Sequence, residues 1–131
     1  MKGRSALRRG PGATAGEMLD RVNAALEEVG FELMAGFNVL SGSDKTEVII
    51  GCHSVGNLGH GIGPSIAWFN PVRMTFEIKP TNLLSIELFA YTANPDRDGA
   101  KVRIPLEDDA IVTERGVEWL YPVNEKILRI R

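Results

Sequence analysis

The run GCHSVGNLGHGIG, residues 51–63, gathers the side chains best suited to chemistry, with Cys52, His53, Ser54 and His60 set among five glycines. Glycine backbones approach an anion closely and their amides can cradle it, so Gly59, His60, Gly61 and Gly63 are candidate ligand-binding residues, with His60 or His53 as an acid–base group. The spacing departs from familiar cradles. Gly59-His60-Gly61-Ile62-Gly63 does not have the intervals of a dinucleotide fingerprint, no Lys-Ser/Thr pair follows as in a P-loop, and Pro64-Ser65 opens no convincing helix. A plain connecting loop therefore stands beside the anion cradle as the competing explanation.

Cys52, His53 and His60 also raise metal binding. A structural zinc site wants four ligands, and neighbouring residues on an extended chain point to opposite faces, so Cys52 and His53 are not expected to meet one ion. Cys52 or Ser54 as a nucleophile needs a positioned base, for which His60 is the local choice, but GCHSVG is not a nucleophile elbow because Cys52 stands where that motif has glycine. A buried, inert Cys52 is expected. Glu77 and Glu87 form a carboxylate pair that could divide acid and base work, but ordinary cross-strand pairing of mixed charges on an exposed sheet face is the preferred explanation. Asp96, Asp98, Glu107, Asp108 and Asp109 match no calcium loop and read as turn residues. No catalytic residue, metal or cofactor is assigned from sequence.

The element expected to position these groups is a central hairpin. From Val72 to Thr92 apolar residues alternate at the two-residue period of a strand on both sides of Pro80-Thr81-Asn82, a three-residue turn in which Asn82 takes the left-handed position. Pairing Lys79 with Leu83 places Val72, Met74, Phe76 and Ile78 opposite Ala90, Leu88, Ile86 and Leu84 on one apolar face, with Met74, Phe76, Ile86 and Leu88 as core. Arg73, Thr75, Glu77, Ser85 and Glu87 share the other face with Phe89 and Tyr91. Those two aromatics are more apolar than a solvated face needs, which marks them as candidate partner contacts.

Ahead of the hairpin, Thr14 and Glu17 make a capping box for a helix whose Met18, Leu19, Val22, Leu26 and Val29 form one apolar stripe up to a stop at Gly30. Strands are expected over 31–40 and 46–50, then a short apolar segment over 65–69. After the hairpin come strands over 100–106, 111–113 and 117–121, separated by an acidic turn at Glu107–Asp109 and a turn at Arg115-Gly116. Residues 123–131 fit an edge strand or a helical face, the strand being preferred. The expected fold is α+β: one N-terminal amphipathic helix packed on a mainly antiparallel β-sheet or small sandwich, residues 14–131, after a basic flexible arm at residues 1–13.

Composition bounds the function. With 131 residues, 44% hydrophobic and 24% charged, the chain has enough apolar content for one real core and matches neither a disordered nor a membrane protein. No apolar run approaches membrane-spanning length, and the first residues show no secretory h-region. A lone cysteine makes no intramolecular disulfide, and a cytoplasmic location is expected. The net charge of −2 conceals a basic cluster, Lys2, Arg4, Arg8 and Arg9, which suits nucleic acid or an acidic partner. The favoured function is a non-enzymatic structural or assembly subunit working through protein–protein contacts in a homo-oligomer or larger particle, a virion being one setting. The alternatives are a small-ligand or anion-binding protein or enzyme using Gly51–Gly63, and nucleic-acid binding through the arm.

Overall fold

Thr14 caps α1 (Ala15–Glu28) through a complete capping box, in which the Glu17 N–H donates to Thr14 Oγ1 at 3.2 Å and the Thr14 N–H donates to Glu17 Oε2 at 2.8 Å. The helix ends at Gly30, whose φ of 100° suits a residue without a Cβ. The N–H groups of Gly30 and Phe31 close the end onto the carbonyls of Glu27 and Leu26. The computed structural model describes residues 12–56, 59–123, 125, 126 and 130. Residues 1–11 of the basic arm, with Lys2, Arg4, Arg8 and Arg9, and most of the ambiguous stretch at 123–131 lie outside the described residues.

The fold is α+β. The described strands are β1 (Glu32–Leu33), β2 (Glu47–Ile50), β3 (Cys52–Ser54), β4 (Ser65–Ile66), β5 (Leu83–Ala93), β6 (Lys101–Thr113) and β7 (Gly116–Trp119), joined in one seven-stranded sheet. β5 is its spine: β2 and β3 pair with one edge of it and β6 pairs with the other along all eleven residues from Leu83 to Ala93. All described pairings between strands are antiparallel except β1 with β2. Alternation along β5 separates two faces. Leu84, with Ile86 and Leu88, joins Ile50, Cys52, Ile66, Ile78 and Val112 in a core covered by Ala15, Met18 and Leu19 of α1. Tyr91 and Phe89 face the other way, against Met34 and Ile49.

The central hairpin does not form. Its second strand is β5, but Pro71–Met74 is a short helix, α2, with Pro71 in the first turn, where its missing N–H costs nothing. The backbone that follows is spent on the chain's N-terminal side: Ile78 N–H donates to Ala13 O at 2.8 Å and Ala15 N–H to Phe76 O at 2.9 Å. Thr81, not Asn82, takes the positive φ, and its N–H donates to Val112 O. Of the expected core residues, Ile86, Leu88 and Met74 pack against the core, whereas Phe76 is 39% exposed. The acidic turn at Glu107–Asp109 is also absent, because those residues continue β6 opposite Glu87, Ile86 and Ser85. The strand expected over 31–40 shrinks to Glu32–Leu33, and the chain then crosses the sheet face, where Tyr91 Oη donates to Asn38 Oδ1 at 2.8 Å.

A buried ion pair ties this crossing segment to the sheet. Glu47 is fully buried on β2 and accepts from Lys101 Nζ and from the Ser41 N–H. The Lys101 ammonium, followed by the Ser41 N–H, holds the Glu47 carboxyl below the usual carboxylate range. A folded-state pKa depressed in this way contributes stability above the ordinary carboxylate pKa and loses it as pH falls through the folded value. Lys101→Met therefore lowers the Tm at neutral pH, and the gap to the wild type narrows from about pH 5 downward in a thermal-melt series. A gap constant from neutral to strongly acid pH would show that the pair contributes nothing.

Candidate functional site

Gly51 separates β2 from β3, and both keep one continuous register against β5; the Gly51 N–H donates to Glu87 O at 3.0 Å. Next to it Cys52 and His53 diverge, as adjacent strand residues must. Cys52 enters the helix-side core and donates its S–H to Glu87 O at 3.5 Å. His53 points to the opposite face.

On that face the register aligns two rows. His53, Ser85 and Asp109 occupy paired positions of β3, β5 and β6, and Glu87 lies directly opposite Glu107 in the next row. His53 Nε2 is 3.7 Å from Glu87 Oε2 and 3.8 Å from Glu107 Oε1, and the ligand atoms of the three side chains all lie within 4.8 Å of one another. The His53 Nδ1 lies 3.1 Å from the Ser54 carbonyl, which can only accept. In the neutral ring Nδ1 therefore carries the proton and Nε2 turns its lone pair toward the space beside the two carboxylates, where a cation could accept it. Ser85 donates to Glu107 Oε1 at 2.7 Å. Among the described residues neither Glu87 nor Glu107 pairs with a Lys or Arg.

The glycine-rich loop folds over this cluster. The His60 ring lies 4.1 Å from the His53 ring, centroid to centroid. The loop needs its glycines: a Cβ on Gly61 would meet Val55 O at 2.6 Å, and one on Gly56 would meet His60 O at 2.8 Å. The amides of Gly56, Gly59 and Gly61 bond within the loop, to Gly59 O, Gly56 O and Ser54 O, and Gly61 O accepts from Arg73 Nη1. A Cβ on Gly63 would strike the Ser54 hydroxyl, which is buried and donates to Pro64 O. On the other side of Glu87, Phe69 packs on Phe37 at 4.8 Å between centroids, and Arg103 lies over Phe89 at 4.1 Å.

The sequence-derived candidates distribute unevenly around this geometry. His60 comes to the cluster, with Gly59, Gly61 and Gly63 shaping its loop. Tyr91 is buried and Phe89 half-buried beneath Arg103. Glu77 is remote from Glu87: it is exposed, bridges to Thr14 and lies 3.9 Å from Lys79. The carboxylate partner of Glu87 is Glu107, hidden within what reads as an acidic turn. A continuous strand over Lys101–Thr113 would have exposed it, and only the alternation of Val102, Ile104 and Leu106 hinted at one.

No protein-family model matches the chain, and no curated protein matches it. Solved structures do. The chain is similar to prolidase from Pyrococcus furiosus, with a TM-score of 0.55 and 22% identity over 95% of this chain and 30% of that one. It is also similar to prolidase from Pyrococcus horikoshii, at TM-score 0.55 and 20% identity over 97% of this chain and 30% of that one. X-Pro aminopeptidase from Thermotoga maritima aligns at TM-score 0.59 and 19% identity over 95% of this chain and 29% of that one. At these identities the likeness is one of fold, and the chain spans less than a third of the length of the structures it matches. The expectation of a non-enzymatic structural or assembly subunit is thereby corrected, since the fold is one that peptidases carry. Among the described residues no helix is long and apolar enough to cross a membrane.

Burial raises the Cys52 thiol to about 12, so at ordinary pH it carries almost no thiolate. In native protein at pH 8 Cys52 should stay unmodified by a thiol-exchange reagent for as long as the fold persists, and should react at once in denaturant. Rapid native reaction would place Cys52 at the surface rather than behind the His53 face.

Proposed function

We propose that this chain is the metal-binding part of a hydrolase acting on peptides, with His53, Glu87 and Glu107 as protein ligands of one divalent cation. The observation that carries this is the pairing of Glu87 with Glu107 at directly opposite positions, with an imidazole nitrogen between them and no cation from the described residues. Like charges directly opposite on a sheet repel, and a divalent cation turns that repulsion into attraction. Two carboxylates and one neutral imidazole suit Mn²⁺, Fe²⁺, Co²⁺ or Zn²⁺. Three protein ligands leave positions open, as catalytic centres require.

A divalent ion bound there supplies Lewis-acid polarisation of a carbonyl. The remaining work falls to the chain. The Ser54 carbonyl orients His53, and exposed His60, its ring tilted against that of His53, is placed to move a proton. Phe69, Phe37 and Phe89 offer an apolar wall beside Glu87 for a substrate side chain. The likeness to prolidases and an X-Pro aminopeptidase supports X-Pro peptides as the first substrates to try.

Titration of the metal-free chain with Mn²⁺, followed by the loss of the free-ion paramagnetic resonance signal, should give one bound ion per chain. His53→Ala, Glu87→Gln and Glu107→Gln should each weaken binding at least tenfold, on the order of 1.4 kcal/mol or more. Hydrolysis of an X-Pro dipeptide should require added Mn²⁺ and vanish in Glu87→Gln. Wild-type affinity in all three variants would rule out this ligand set.

A further inference from the structure

We infer that Ser85 is a positioning residue for the proposed metal centre, holding Glu107 in the orientation that lets it share an ion with His53 and Glu87. This rests on the metal reading above and adds a residue to it. Ser85 sits at the centre of the cluster, paired with His53 on one side and Asp109 on the other, two residues before Glu87 on β5. Its side chain therefore lies on the face that carries all three ligands.

The three ligands are not held equally. The His53 and Glu87 side chains are 17% and 22% exposed, so packing confines them, but Glu107 is 55% exposed. A carboxylate that open samples several rotamers in water, and ordering it costs side-chain entropy. The hydroxyl of Ser85 opposes this. Ser85 is 1% exposed, so its hydroxyl cannot turn to solvent, and it donates to Glu107 Oε1, the same oxygen that lies 3.8 Å from His53 Nε2. Donation to a carboxylate is charge-assisted, and a buried donor deprived of its acceptor is costly, so the bond is retained. It takes up one lone pair of Oε1 and leaves Oε2 and the other lone pair of Oε1 for an ion. Partners of this kind set the orientation and basicity of metal ligands, and removing them commonly weakens affinity 10- to 100-fold.

A purely structural Ser85 would only fill space and satisfy its own hydroxyl in the sheet. The two roles separate in a double-mutant cycle on Mn²⁺ affinity, using the full chain. Ser85→Ala should raise the Mn²⁺ dissociation constant about tenfold while the metal-free Tm stays near that of the wild type. Ser85→Thr, which keeps the hydroxyl, should recover most of the loss. In a Glu107→Ala background Ser85→Ala should have no further effect on affinity, because the carboxylate it orients is gone. Unchanged affinity in Ser85→Ala, or an equal loss with and without Glu107, would overturn the role of Ser85 and leave the metal site standing. Absence of Mn²⁺ binding by the wild-type chain would overturn both.

Discussion

Because β5 is hydrogen-bonded along both edges, its residues have no freedom of register, and its two-residue alternation assigns every side chain in the sheet to one of two faces. Leu84, Ile86 and Leu88 go to the helix, and Ser85, Glu87, Phe89 and Tyr91 go to the opposite surface. A slip by one residue would drive Glu87 into the core as an unpaired charge and expose Leu84 and Leu88. Core and site are thus protected by one constraint. The apolar half makes the register energetically steep, and the polar half inherits that precision.

The neighbours of β5 turn that precision into a constellation. On one edge β2 and β3 share a single register across Gly51, so β3 presents His53 beside Ser85 while β2 runs alongside Phe89 and Tyr91. On the other edge β6 runs unbroken through three consecutive acidic residues, which strands ordinarily disfavour. Only one of them, Glu107, faces Glu87. Placing two carboxylates opposite each other is a local cost in the metal-free chain, and ion binding to the folded state alone would repay it through mass action. The Glu47–Lys101 pair does comparable work at the far end of β5, where buried charge is neutralised inside the chain.

The helix, the α+β class and the second half of the central strand pair were legible because each rests on a local pattern: Thr14 with Glu17, the stripe from Met18 to Leu26, and the alternation of Leu84, Ile86 and Leu88. The first half of the expected hairpin failed although it alternates as cleanly. Val72 to Ile78 has the period of a strand, but Pro71 starts a helical turn and residues 76–78 find their backbone partners at residues 12–15. Alternation reports which side chains can share a face, not which strand supplies the hydrogen bonds. Glu107 was lost for a related reason. Glu107-Asp108-Asp109 carries the composition of a turn, and only pairing with β5 makes it strand.

The candidate site shows the same division more sharply. The glycine-rich run drew attention because its unusual residues are adjacent, and His60 and His53 do lie together. Yet the Gly56, Gly59 and Gly61 amides are consumed within the loop, and the groups that complete the cluster come from two distant strands. The objection to Cys52 and His53 as joint ligands was physically sound, since they do face opposite ways. What it excluded was a local site. His53 finds its carboxylates across β5, in residues whose shared face depends on a register that no contiguous motif encodes. A centre built this way tolerates change in the loops between its ligands but not a one-residue shift within β3, β5 or β6, so its signature lies in the phase of three strands and not in the spacing of a motif.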